Sequence, residues 1–97
     1  MSSPLSALQT WYRDQCNGDW EHQHGIEIGT LDNPGWHVRI DLPVGHKNLR
    51  PFEETQCGSG PDEWMRCRVI DGRFEGWGGP TMLEQIIESF LNWNRTT

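Results

Sequence analysis

Four histidines, three cysteines and several neighbouring carboxylates are the side chains of this sequence that could hold a metal or act as nucleophile and base. His22, His24, His37 and His46 come first, because imidazole is the commonest transition-metal ligand. Their spacing argues against a shared site. Read as part of an extended segment, His22 and His24 share a face, whereas His37 falls on the opposite face of the strand that would pair with it. Only a bulge would re-aim one of them, so the histidines are expected to face solvent or bond locally. The cluster Glu21, His22 and His24 is the one remaining candidate for a small metal-binding or enzymatic centre.

The cysteines carry less. Cys16, Cys57 and Cys67 are odd in number and form no C-x-x-C pair, so neither a closed disulfide framework nor a cysteine zinc site is indicated. Reduced thiols are expected. A catalytic thiol needs an adjacent base, and none is marked: Cys16 ends a helix pattern, Cys57 borders a loop and Cys67 sits in an apolar row. The acid pairs Glu53-Glu54 and Asp62-Glu63 read as solvated surface. Gly76-Trp77-Gly78-Gly79-Pro80 precedes a helix but lacks the lysine of a phosphate-binding loop. No cofactor is expected.

Six tryptophans among 97 residues are the other chemical asset, since each brings a large apolar area and one donor that needs a partner. Trp11 and Trp36 lie in apolar rows and read as core, and Trp93 falls at the edge of a helix stripe. Trp20 and Trp77 sit in glycine-rich connections beside Asp19, Glu21 and Glu75, and Trp64 shares a strand face with Arg66 and Arg68. Aromatic residues flanked by charge fit interface anchors. They also fit a sugar-binding platform.

The elements that must position these residues are legible from periodicity. Ser3 as N-cap and Pro4 at the first helical position open a helix carrying Leu5, Leu8, Trp11 and Tyr12, which should stop at Asn17-Gly18. Alternation then predicts strands over 22–31 and 36–42 around Pro34-Gly35, read as a type II turn with positive φ at the glycine. For both apolar rows to share a face, the numbers of paired residues must have an even sum, as for Thr30 with Trp36 or Glu27 with Arg39. Phe52–Cys57, Glu63–Asp71 and Arg73–Trp77 read as three further strands, the last two joined by a tight Asp71-Gly72 turn. Pro43–Arg50 is a connecting loop. Thr81 and Glu84 can form a capping box for a final helix, along which Leu83, Ile86, Ile87, Phe90 and Leu91 repeat at helical spacing. The fold class is therefore α+β, a single two-layer domain over residues 1–97 with about five antiparallel strands between an N-terminal and a C-terminal helix.

Composition narrows the partners. Fourteen Asp and Glu against eight Lys and Arg give a net charge of −6, which disfavours a nucleic-acid backbone or an anionic membrane and favours a basic partner. Met1–Thr10 lacks a signal-peptide pattern and no stretch approaches the ~20 apolar residues of a membrane span, so a cytoplasmic protein is expected.

Taken together, Trp11-Tyr12, Gly18-Asp19-Trp20-Glu21-His22, Gly25-Ile26, Thr30-Leu31-Asp32-Asn33-Pro34-Gly35-Trp36, Ile40-Asp41-Leu42, Phe52, Trp64, Phe74-Glu75-Gly76 and Gly78-Gly79-Pro80 form a pattern that resembles the bacterial Immunity protein 53 family over nearly the whole chain. The resemblance implies a non-enzymatic role in a polymorphic toxin system, in which the immunity protein is made beside a toxin and neutralises it. The implied partner is a cognate toxin, and the charge favours one with a basic surface, such as a nuclease cleft. The residues expected to meet it are Trp20, Glu21, His22, His24, Asp32, Asn33, Trp64, Glu75 and Trp77. An edge strand also leaves pairing with a second copy or with the toxin open.

Overall fold

The computed structural model describes residues 3–32, 34–42, 55–58, 60 and 63–95. Helix α1 spans Pro4–Gln15, its first turn closed by the Ser3 hydroxyl, which accepts from the Ser6 N–H at 3.1 Å. It ends before Gly18, which takes a positive φ of 89°. A short helix α2 (Trp20–Gln23) follows, then β1 (Ile26–Leu31), β2 (Gly35–Asp41), β3 (Thr55–Gly58), β4 (Trp64–Ile70), β5 (Arg73–Gly78) and helix α3 (Leu83–Arg95). The strands form one antiparallel sheet in the order β1-β2-β5-β4-β3. The α+β architecture expected from periodicity is the one observed.

Register follows the alternation. Thr30 pairs with Trp36 and Glu27 with Arg39, so that Val38 and Ile40 share a face with Phe74, Met65 and Cys67. All five are buried, and α3 lays Ile86, Ile87, Phe90, Leu91 and Trp93 against them. Phe90 is the meeting point: its ring stands edge-on to Trp11 of α1 at 4.9 Å and to Phe74 of β5 at 5.3 Å. Asp71 and Gly72 both have positive φ, 54° and 75°, the conformation that lets a two-residue turn follow the sheet's twist.

The structure corrects several local expectations. Residues 22–24 are not strand, because Asn17 and Glu21 organise a helical turn first. The Asn17 side-chain oxygen accepts from the N–H groups of Asp19 and Trp20 at 2.9 and 3.0 Å, while the Glu21 carboxylate accepts from those of Asn17 and Gly18 at 2.9 and 2.7 Å. Trp20 is thereby turned inward, 7% exposed and edge-on to Trp11 at 6.0 Å, so it is a core residue and not an exposed anchor. Trp93 is core as well, and Trp36 is half-buried with its indole N–H donating to the Pro80 carbonyl at 2.9 Å. Leu5 and Tyr12, though on the helix stripe, stay exposed.

Gly35 does not take the positive φ of a type II turn; it pairs with Leu31 inside β2. Its lack of a side chain matters for another reason, since a Cβ there would run into the Gly78 carbonyl oxygen of the next strand. Helix α3 begins at Leu83, its bond from Ile86 N–H returning to Met82 O, one residue later than a cap at Thr81. Pro43–Arg50 and Phe52–Glu54 lie outside the described residues.

Three outcomes follow for the fold. Trp20→Ala should cost about 3–5 kcal/mol of folding stability, as for other large-to-small core changes, measurable by denaturant unfolding; an unchanged midpoint would place Trp20 outside the core. Gly76→Ala should cost about 1–3 kcal/mol, because its Cβ would collide with the branched Ile86 side chain of α3. Backbone N–H groups, its own first and then those of Asn17 and Gly18, hold the Glu21 carboxyl below its ordinary value of 4.5 against the opposing effect of desolvation. A lowered carboxyl pKa stabilises the fold above the unfolded value and loses that contribution as pH falls through the folded one. Glu21→Gln should therefore flatten the acid limb of stability against pH below about 4.5, and an identical acid limb in both proteins would contradict the capping role.

Candidate functional site

Because the described helices pack against one face of the sheet, every second strand residue is presented on the other. On that open face β1 contributes Glu27 and Gly29, β2 His37, Arg39 and Asp41, β5 Arg73, Glu75 and Trp77, and β4 Trp64, Arg66, Arg68 and Ile70. No described helix packs on it. Ile70 is among the exposed large apolar residues of the protein, and Trp64 and Trp77 are half-buried.

Two cross-strand rows build the centre. The first reads Glu27, Arg39, Glu75, Arg68 across β1, β2, β5 and β4, alternating in sign at each step. Arg39 reaches Glu27 at 3.0 Å, and the Arg68 guanidinium holds Glu75 through two nitrogens at 2.9 and 3.0 Å. Exposed pairs of this kind are worth ~0–1 kcal/mol each, so the row contributes more to register than to net stability. The Glu75 side chain, only 14% exposed, is the best shielded of these groups.

The second row is aromatic. His37 stands opposite Trp77 and stacks on it, ring centroids 5.6 Å apart at 25°, while Arg66 is its opposite number on β4. The Arg68 guanidinium also lies over the Trp77 ring at 5.3 Å from the centroid, a cation–π arrangement. Trp77 is thus held between an imidazole and a guanidinium, with Trp64 as its other diagonal neighbour on β4. A large ring fixed in this way loses little side-chain freedom on meeting a partner.

At one corner of this face His22, His24, Glu27, Arg39 and Asp41 line a polar hollow of about 210 Å³. His24 Nδ1 lies 3.7 Å from Asp41 Oδ2, which accepts the Gly25 N–H at 3.0 Å, and Arg73 Nε lies 3.9 Å from Asp41 Oδ1. Among the described residues no three His, Cys, Asp or Glu converge as metal ligands do. Cys16 and Cys67 are unbridged.

The residues expected to meet a partner are therefore dispersed. Trp64, Glu75 and Trp77 come together on the open face; His22 and His24 border it at the hollow; Asp32 is exposed in the β1–β2 connection. Trp20 is buried, Glu21 is committed to capping the turn, and Asn33 lies outside the described residues. Sequence reasoning missed His37 as a partner of Trp77, although the alternation of 36–42 already set it on the face away from the core. Charge is also redistributed: the open face carries Arg39, Arg66, Arg68 and Arg73 against Glu27, Asp41 and Glu75, so the net −6 arises elsewhere. Asp14, Asp19, Glu63, Asp71, Glu84 and Glu88 are exposed and lie off that face, Asp14 on α1 and Glu84 and Glu88 on α3.

No helix among the described residues is long and apolar enough to cross a membrane. No curated protein and no solved structure matches the chain. The family description Immunity protein 53 does, over residues 5–95, which takes in every helix and strand but the first residue of α1, and on that ground the chain belongs to the Immunity protein 53 family.

Proposed function

We propose that this chain is an immunity protein that binds a cognate bacterial toxin in the cytoplasm of the producing cell and occludes its active or substrate-binding surface, using the open face of the sheet as the contact. The observation that carries this reading is the Trp77 platform: an aromatic ring gripped by His37 and Arg68 on the one sheet face that no described helix covers. Tryptophan and arginine are the residue types most enriched at energetic centres of protein interfaces. The family supplies the class of partner.

Charge then divides the work by distance. The net −6 steers a basic toxin from afar, as complementary fields accelerate encounter. At contact the toxin meets a face where arginines balance acids, so short-range recognition comes from the aromatic centre and from bidentate guanidinium bonds. The role is binding, not catalysis.

Co-expression and co-purification with the toxin encoded beside it tests the reading. Trp77→Ala should weaken the complex by more than ~1 kcal/mol, about fivefold or more in Kd, and reduce growth rescue, while the variant stays folded. The association rate should fall as salt is added. A chain that neither binds that toxin nor rescues growth would refute the proposal, and normal binding by folded Trp77→Ala would move the interface off this face.

A further inference from the structure

The sheet has an edge at β1, and its free backbone can be read from the hydrogen bonds. The Asp41 N–H donates to the Gly25 carbonyl at 3.0 Å, so Gly25, Glu27, Gly29 and Leu31 turn their N–H and C=O groups towards β2. Ile26, Ile28 and Thr30 therefore point theirs outward, and no described strand pairs with them. The strand carries none of the usual edge protection: no Pro, no Lys, and a single charge, Glu27, already engaged by Arg39. On the helical side β1 projects past its cover. Ile28 is 39% exposed, and Leu8, Tyr12 and Ile26 wall an apolar groove of about 330 Å³ between α1 and the strand.

We infer that this edge is a self-association site, where β1 of a second copy of this chain pairs antiparallel about Ile28 to continue the sheet. The occupant follows from register. Centred on Ile28, the pairing sets Ile28 against Ile28 and Ile26 against Thr30, using every outward N–H and C=O, while Glu27 falls opposite Gly29, which has no side chain. Centred one residue earlier it would set Glu27 against Glu27, and like charges directly opposite are unfavourable. Centred one residue later it would leave Ile26 unpaired within the strand. The two-fold axis runs perpendicular to the sheet, so the two helical layers share one side and the two Trp77 platforms the other. Six-residue strands bury less than the ~1,200 Å² of a tight interface, so the dimer is weak and concentration-dependent.

Gly29 gives the test, since a Cβ there meets nothing within 4 Å and a charged side chain can be added without disturbing the fold. Sedimentation velocity on the chain alone, over a concentration series, should show a monomer–dimer equilibrium. Gly29→Glu adds two like-charge pairs per dimer and should weaken it roughly tenfold, whereas Gly29→Lys faces Glu27 and should strengthen it several-fold, with circular dichroism unchanged. A chain that stays monomeric into the millimolar range would overturn the inference, as would a dimer whose strength ignores the sign of charge at residue 29. Because no toxin is present in the sedimentation experiment, its failure leaves the toxin-binding proposal standing.

Discussion

The close seating of α3 on the sheet is the constraint from which the rest of this structure follows. A Cβ on Gly76 would strike Ile86, and one on Gly78 would crowd Ile86 and Met82, so the helix approaches only because β5 is bare at those two positions. That approach lets Phe90 reach both Trp11 and Phe74, joining α1, α3 and β5 in one aromatic core. Glycines that look like turn residues in sequence act here as a track for a helix.

One-sided burial then produces the other face. Phe74 and the two glycines of β5 are committed inward, so Arg73, Glu75 and Trp77 must point outward, and antiparallel pairing sets each against a neighbour of matching chemistry. The ion pairs Glu27–Arg39 and Glu75–Arg68 and the His37–Trp77 stack are consequences of that register. Their distribution revises the meaning of the net charge. The acidic chain presents Trp64 and Trp77 among arginines, so the sign of its overall field and the make-up of its open face differ in character.

Much of the architecture was legible because periodicity reports burial directly. The strand alternation restricted β1 and β2 to even-sum registers, of which Thr30 against Trp36 is the one adopted, and the stripe Leu83, Ile86, Ile87, Phe90, Leu91 located α3 to within a residue or two. What misled was local competition. His22 and His24 alternate plausibly with Ile26 and Ile28, yet Asn17 and Glu21 bond nearby N–H groups and wind 20–23 into a turn before the strand begins. Trp20, beside two acids in a glycine-rich stretch, reads as surface; only its approach to Trp11 reveals a core residue. The candidate site was half legible for the same reason: alternation shows which residues face outward, but the His37–Trp77–Arg68 grouping depends on strand order, with β5 between β2 and β4, which periodicity does not encode.

The central claim is that a toxin covers the open sheet face. Six tryptophans distributed between core and surface allow that to be read in one titration, by following the indole N–H resonances of isotope-labelled chain as the neighbouring toxin is added. The signals of Trp77 and Trp64 should shift or broaden first and most, while those of Trp11, Trp20 and Trp93 stay in place. Unmoved Trp77 and Trp64 signals in a saturated complex would contradict it.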